Sequence, residues 1–340
     1  DVYKRQGEED ADEEGVEGDD ADEGAEDDDD ESDEEQVEPS DRETQGAGGP
    51  SPRLAVTHDD GVAVLDGATL EVLGDFDADG VERVDSAGDG RHFFLSEEEG
   101  FRLIDGGTWG ELHGDHNDYF TTDPLLTDVT VDGSAPGQLV SYGRLGTLFF
   151  DGSGEFHTFE ISELDASAEI ETEVNEAEDA HEGLAVVFED DSRLETFGSE
   201  GEPEGVRAIG RDGEEATRND ECSGAQGYAV LPDFSVALGC EGGVLFFDGE
   251  FTSADTEDED ARIGGLFPHD DSGILLGEHR TAEDAEGSMT SVALVDTQTE
   301  EIMVAEVGSP YTSQSLARGP EGEALVLSED GALRVIDAET

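Results

Sequence analysis

Lysine is almost missing from this 340-residue chain: Lys4 is the only one, and 16 Lys and Arg residues face 93 Asp and Glu residues. The formal net charge is −77 at pH 7. A chain without basic clusters does not bind nucleic acid through a basic groove or dock electrostatically on an anionic bilayer. An acidic surface with Arg as its strong base is typical of proteins in multimolar salt, where the Debye length falls to about 3 Å. We therefore expect a halophilic source.

Long hydrophobic runs and catalytic motifs are also missing. No run approaches the roughly 20 apolar residues of a membrane helix. The sequence contains no nucleophile elbow, zinc-protease motif, phosphate loop or dinucleotide fingerprint. A calcium-like loop begins at residues 75–80, but Ser86 stands where the bidentate Glu belongs. We therefore predict that the protein is not an enzyme.

The N-terminal segment has too few apolar residues to form a core. Residues 1–6 read as the translation of a sequencing adapter joined to a truncated reading frame. Residues 7–43 contain 23 Asp or Glu residues, so burial cannot offset the entropy of ordering them. We predict a disordered acidic tail and linker over residues 7–52 and one folded domain over residues 53–340.

A short pattern repeats through the predicted domain: a turn rich in Gly or acids, an apolar strand and, in all but one copy, a closing acid. The copies recur about every 45 residues, close to the length of a four-stranded propeller blade. Helical periodicity is nearly absent. We predict an all-β fold, a β-propeller with seven blades and a ring closed by the N- and C-terminal strands. Eight blades and a pair of β-sandwiches are the alternatives. The copies span residues 61–66, 100–105, 146–151, 205–210, 243–248, 291–296 and 332–337.

The chain has only two cysteines, Cys222 and Cys240. A disulfide closing a loop of this size contributes about 3 kcal/mol in an oxidising compartment; two buried thiols are the alternative. An acidic linker ahead of a folded domain suits a surface-tethered protein, which favours the disulfide. We expect an exported protein, periplasmic or at the cell surface, whose signal or lipid anchor preceded residue 7.

Two of the eight histidines, His113 and His116, lie three positions apart in a carboxylate-rich segment that also contains Asp118. His181 and Glu182 come just before an apolar strand. Imidazole and carboxylate together suit Zn²⁺, and loops of different blades converge near a propeller axis. We predict a zinc site formed by the three histidines with Asp118 or Glu182; solvated histidines are the alternative. The other histidines are expected to be surface or packing residues: His58, His92, His157, His269 and His279.

Several segments carry a family resemblance: residues 88–92, 100–105, 113–116, 220–222 with 239–240, and 311–335. From about Leu54 to its end, the sequence resembles the AztD-type zinc metallochaperones of bacterial zinc ABC-transporter systems. The resemblance implies an exported β-propeller that binds Zn²⁺ and hands it to the solute-binding protein of the transporter. It also agrees with the disulfide.

The sequence departs from this family at the ligand positions. Asp118 replaces the third histidine of the loop His-Gly-Asp-His-x-His, and Glu182 replaces the second of two paired histidines. Gln226 and Tyr228 replace a histidine and an acid. Because Gln is a poor zinc ligand and Tyr must lose a proton, we expect one site to be retuned and another lost. The alternatives are a scaffold propeller without zinc and an enzyme acting at the propeller axis. We expect a monomer.

Overall fold

The computed structural model describes residues 42–199, 201–282, 284 and 287–337. The predicted adapter residues 1–6 and the predicted tail up to residue 41 lie outside the described residues. The described part forms 29 strands and two short 3-10 helices, Ile161–Glu163 and Ser313–Ser315.

Seven antiparallel sheets follow one another along the chain as blades 1 to 7. Blades 1 and 2 contain β2 (Arg53–His58), β3 (Gly61–Asp66) and β4 (Val72–Asp77), then β5 (Arg83–Ser86), β6 (His92–Glu97), β7 (Gly100–Asp105) and β10 (Leu125–Asp132). Blades 3 and 4 contain β11 (Pro136–Tyr142), β12 (Leu145–Phe150), β13 (Glu155–Glu160) and β14 (Glu173–Glu176), then β15 (Ala185–Val187), β16 (Arg193–Ser199), β17 (Glu202–Ile209) and β18 (Glu215–Asn219). Blades 5 and 6 contain β19 (Gly227–Val230), β20 (Val236–Cys240), β21 (Gly243–Phe247) and β22 (Phe251–Asp255), then β23 (Arg262–His269), β24 (Ser272–Arg280), β25 (Met289–Asp296) and β26 (Glu301–Tyr311). Blade 7 contains β27 (Leu316–Arg318), β28 (Ala324–Leu327) and β29 (Leu333–Ile336).

An eighth sheet lies outside this series. It contains β1 (Gln45–Ala47), β9 (His116–Thr121) and β8 (Thr108–His113), in that order. We call β8 and β9 the hairpin.

The repeated sequence pattern marks the blades. Each of its seven copies contributes a strand to a different blade, which confirms the predicted all-β propeller. Five of the seven copies begin with a glycine, and the neighbouring strand comes very close to it. A Cβ at Gly61 would lie 2.0 Å from the carbonyl oxygen of Phe76, and one at Gly100 would lie 2.4 Å from that of Val131.

The core is divided into layers between successive blades. Between blades 2 and 3, Phe94 packs on Phe159 and Phe101 on Phe150, at centroid distances of 5.4 and 5.2 Å. Burying a side chain of this size contributes about 1.5–3 kcal/mol. Comparable buried clusters join the other successive blades from 1 to 7.

Blades 1 and 7 differ from the predicted shared blade. Each has three strands, and no ladder joins them among the residues that the structure describes. Leu54 and Val56 of β2 and Leu333 and Val335 of β29 are exposed. Each end of the domain supplies three strands of its own, and these form two separate sheets instead of one shared blade. Closure of the ring stays a prediction.

The last part of the predicted linker contacts the propeller. β1 pairs with β9, with Gln45 opposite Thr121 and Ala47 opposite Tyr119. Arg42 donates hydrogen bonds to the carbonyl of Asp123 and the carboxylate of Asp105. None of the helices in the described part is long and apolar enough to cross a membrane.

Candidate metal site

The hairpin is an insertion in blade 2. The chain leaves the blade at Asp105, the end of β7, and returns at Leu125, the residue paired with Asp105. At the tip, His113 pairs with His116 across a two-residue turn. Gly114 opens the turn with φ of 66°, a value that glycine adopts without the steric cost other residues meet.

One face of the hairpin collects the candidate ligands. Successive strand residues point to opposite faces, and directly paired residues share a face. His113 therefore lies on the same face as its partner His116, and the pair Glu111 and Asp118 follows on that face. Both histidines are well exposed, with 79% and 65% of their side-chain surface accessible.

Asp118 is the residue that connects the two histidines. Its Oδ2 lies 2.8 Å from His113 Nδ1, and its Oδ1 lies 3.6 Å from His116 Nε2. Ligand atoms around a tetrahedral zinc ion are about 3.3 Å apart, a separation that lies between these two distances. No group of three or more His, Cys, Asp or Glu side chains in the described part is already arranged to hold a metal ion. Loading would therefore require these exposed side chains to rotate.

The base of the hairpin is fixed by buried charge. Asp105 is fully buried and accepts hydrogen bonds from Arg91 and Arg42 and from the backbone N–H of Gly107. Burial alone would raise the pKa of Asp105, but the two guanidinium groups outweigh it and hold the pKa well below its usual range. The Arg91 guanidinium also lies 4.5 Å from the centre of the Trp109 ring. The hairpin thus has a rigid base and an exposed tip.

His181 lies elsewhere, in the core beside blade 4. It is 1% exposed, and its ring packs on Phe149. Its Nδ1 lies 2.8 Å from the carbonyl oxygen of Asp179 and its Nε2 lies 2.8 Å from the hydroxyl of Thr196. Both ring nitrogens therefore have protein partners.

Glu182 and Gln226 are hydrogen-bonded to each other. The Gln226 amide donates to Glu182 Oε2 over 3.0 Å, and the Gln138 amide donates to the carbonyl of Gln226. The side chains of Glu182 and Gln226, two positions that depart from the family's ligand pattern, thus already have hydrogen-bond partners within the protein. We refer to Gln138, Asp151, Glu182, Gln226 and Tyr228 as the inner-strand cluster, since they lie on or beside the first strands of blades 3 to 5 or the strand that follows.

The other two members of the inner-strand cluster favour their protonated forms. Burial raises the pKa of Tyr228, whose hydroxyl oxygen accepts a hydrogen bond from the N–H of Ser141. Burial, with help from the Glu182 carboxylate, raises the pKa of Asp151 to about 6, although the Gly183 N–H donates to it. A phenol that keeps its proton is a poor zinc ligand, and a proton competes with a metal ion for Asp151 up to about pH 6.

The predicted disulfide between Cys222 and Cys240 is confirmed. Both cysteines are buried in the apolar cluster that joins blades 4 and 5. The disulfide holds the connection into β19, the strand that carries Tyr228.

Sequence reasoning missed Asp105, Asp151 and Glu111. Asp105 closes one copy of the repeat and Asp151 closes another, so both were interpreted as repeat positions. The signal for Glu111 was its spacing: it is two residues before His113, which places it on the same face of a strand.

Comparison with known structures supports the fold. AztD from Citrobacter koseri is 21% identical to this chain, with a TM-score of 0.68 over 82% of this chain and 75% of AztD. The apo form of the same protein gives 20% identity and a TM-score of 0.68 over 88% and 79%. A chain of the mitotic checkpoint complex gives 13% identity and a TM-score of 0.58 over 87% and 91%. No protein-family model matches the sequence, and no curated protein sequence matches it.

Proposed function

We propose that this chain is a zinc-binding propeller of the metallochaperone type, which holds Zn²⁺ on the hairpin and passes it to a zinc-transporter solute-binding protein. One observation carries the proposal: His113, His116 and Asp118 lie on one exposed face, with ligand atoms 2.8 and 3.6 Å apart. The fold shared with AztD and the family resemblance of residues 113–116 support it.

The proposed ligands are His113, His116 and Asp118. His181 and Glu182 are left out because their side chains already have partners in the core and in the inner-strand cluster. The proposed function is binding and transfer of a metal rather than catalysis.

Exposure of the hairpin tip is what transfer requires. A partner must replace the ligands of the donor one at a time, and buried ligands would oppose its approach. The fixed base, with Asp105 held by two guanidinium groups, keeps the hairpin in place while the tip exchanges its metal.

The cellular setting is part of the proposal. A disulfide forms and persists in oxidising compartments, so we infer an exported protein, periplasmic or at the cell surface, with lipid anchoring as one route. We also infer a monomer, since the large net negative charge makes copies of the chain repel one another wherever salt does not screen it.

The test is zinc affinity of the full chain, measured against a chromophoric chelator in roughly 2 M salt so that scattered carboxylates are screened. We expect one tight equivalent of Zn²⁺. The double variant His113→Ala/His116→Ala is expected to bind more than about 100-fold more weakly.

The matched control is His58→Ala/His269→Ala. It removes the same number of histidines from the ends of strands β2 and β23 in blades 1 and 6 and is expected to keep the wild-type affinity. Wild-type binding no tighter than that of the His113/His116 variant would overturn the proposal and leave a scaffold propeller that has lost zinc.

A further inference from the structure

Glu111 stands directly opposite Asp118 in the hairpin ladder, on the face that carries the two histidines. We propose that Glu111 is the fourth ligand of the hairpin site and that Trp109 is its positioning residue. The site then has two imidazole nitrogens and two carboxylate oxygens. This proposal rests on the proposed function, because it completes the same site.

The first argument is electrostatic. Two like charges directly opposite each other in an antiparallel pair destabilise the sheet. Glu111 and Asp118 are such a pair, in a hairpin whose exposed tip also carries Asp115. A divalent cation between the carboxylates replaces this repulsion with attraction.

The second argument concerns the hydrogen bonds that the two carboxylates make. Asp118 is bonded to His113, while Glu111 Oε1 accepts a hydrogen bond from the Trp109 indole N–H over 3.0 Å. Each carboxylate therefore has a separate partner. The second oxygen of Glu111 is left to bind a metal ion, and ligating carboxylates are commonly hydrogen-bonded in this manner.

The third argument is that Trp109 is itself fixed. Its ring stacks on Phe120 at a centroid distance of 5.6 Å, and the Arg91 guanidinium lies over it. Arg91 is in turn bonded to the buried Asp105. The indole N–H thus holds Glu111 from the rigid base of the hairpin, which limits the entropy lost when the metal binds.

The donor set also balances charge. Two carboxylates neutralise the two positive charges of Zn²⁺, and oxygen with imidazole ligands suits this borderline ion. The proposed site therefore explains why the hairpin tolerates Asp118 in place of an imidazole.

Trp109 makes the test direct, because it is the only tryptophan in the chain. We expect Zn²⁺ titrated into the full chain in high salt to change the tryptophan fluorescence and to saturate at one equivalent. Glu111→Gln is expected to lower zinc affinity about 10- to 100-fold and not to lower the unfolding midpoint of the metal-free chain, since it removes the repulsion between Glu111 and Asp118. Trp109→Phe, followed by chelator competition, is expected to lower the affinity by a smaller factor.

The matched control is Glu173→Gln, an exposed strand residue of blade 3, which is expected to bind Zn²⁺ like the wild type. Wild-type affinity in Glu111→Gln, with loss of binding in the His113/His116 variant, overturns the role of Glu111 and leaves the proposed function standing. Absence of tight binding in the wild type overturns both. If Trp109→Phe fails to fold, Glu111→Gln still decides the ligand assignment.

Discussion

The hairpin and the inner-strand cluster both contain residues that suit a metal, and the structure treats them in opposite ways. At the hairpin tip, His113 and His116 are exposed, and the side chains they contact are the carboxylates of Asp115 and Asp118. In the core beside the inner-strand cluster, His181 is buried with both nitrogens bonded to protein atoms. Residue type alone therefore does not make a ligand: the side chain must also be exposed to an incoming ion, and its contacts must be with groups that can themselves bind a metal.

The two regions also differ in how rigidity is arranged. In the hairpin, the fixed groups lie at the base, and the candidate ligands lie beyond them at the tip. In the inner-strand cluster, the candidate ligands are themselves the bonded groups. A transfer site needs the first arrangement, while the second stabilises the propeller.

The sharpest test of the comparison is His181→Ala. It removes a buried ring and leaves the hydroxyl of Thr196 without that partner, so we expect a loss of about 2–4 kcal/mol in the free energy of unfolding. Zinc stoichiometry should not change. Denaturant unfolding and chelator competition measure the two quantities.

His113→Ala is the counterpart of this variant. It should weaken zinc binding with a stability change below about 0.5 kcal/mol, since its side chain is exposed. If His181→Ala folds fully but no longer binds zinc, the distinction between the two regions is contradicted.

Removing the disulfide with Cys222→Ala/Cys240→Ala should cost about 3 kcal/mol of stability. The disulfide constrains the unfolded chain and lies beside the inner-strand cluster, not beside the hairpin. Zinc affinity should therefore stay within about 2-fold of the wild type, by the additivity of distant sites.

Thermal unfolding and chelator competition again give the two readouts. Ser223→Ala is the control, because it keeps the disulfide and removes only the hydrogen bond to Glu241. A large fall in zinc affinity in the double cysteine variant would show that the two regions are coupled.

The smallest expected effect is the pH dependence from Asp151. Its pKa is raised from 3.8 to about 6, so the folded state binds the proton more tightly than the unfolded state. Stability should therefore fall as pH rises from about 4 through 6, by about 1–2 kcal/mol after allowing for solvent screening. Asp151→Asn should be more stable than the wild type at pH 7 and equal to it near pH 4, as measured by denaturant unfolding.

Asp233 is the control residue, because its pKa is shifted in the opposite direction. Hydrogen bonds from Ser235 lower its pKa, so Asp233→Asn should lose stability at neutral pH rather than gain it. Equal pH profiles for wild type and Asp151→Asn would contradict the placement of Asp151 beside Glu182.

The blades could be predicted from sequence because the repeat is local. A turn, an alternating or apolar strand and a closing acid determine where a strand such as Gly61–Asp66 or Gly100–Asp105 begins and ends. The hydrogen bonds that occupy His181 and Gln226 could not be predicted in this way. Their partners, Thr196 and Glu182, come from other strands or loops, and only the packing of blades brings them together.

The hairpin site was partly predictable. The spacing of His113 and His116 indicated a shared site, and the tight turn explains why they meet. The buried base did not follow from the sequence, because Arg42 lies 63 positions from Asp105 in a segment predicted as linker. Long-range ion pairs of this kind carry no local pattern.

The return of the chain to Leu125, paired with Asp105, makes residues 106–124 an insertion between two neighbouring strands, supported at its edge by β1 and at its base by Arg42 and Arg91. A short turn at this point would leave the order of the blade unchanged. An arm of this kind is open to exchange in evolution and in engineering: its length and the side chains at its tip can vary while the propeller stays the same. Grafting the hairpin onto another antiparallel sheet would require its supports to be carried along, namely β1, Arg42 and Arg91.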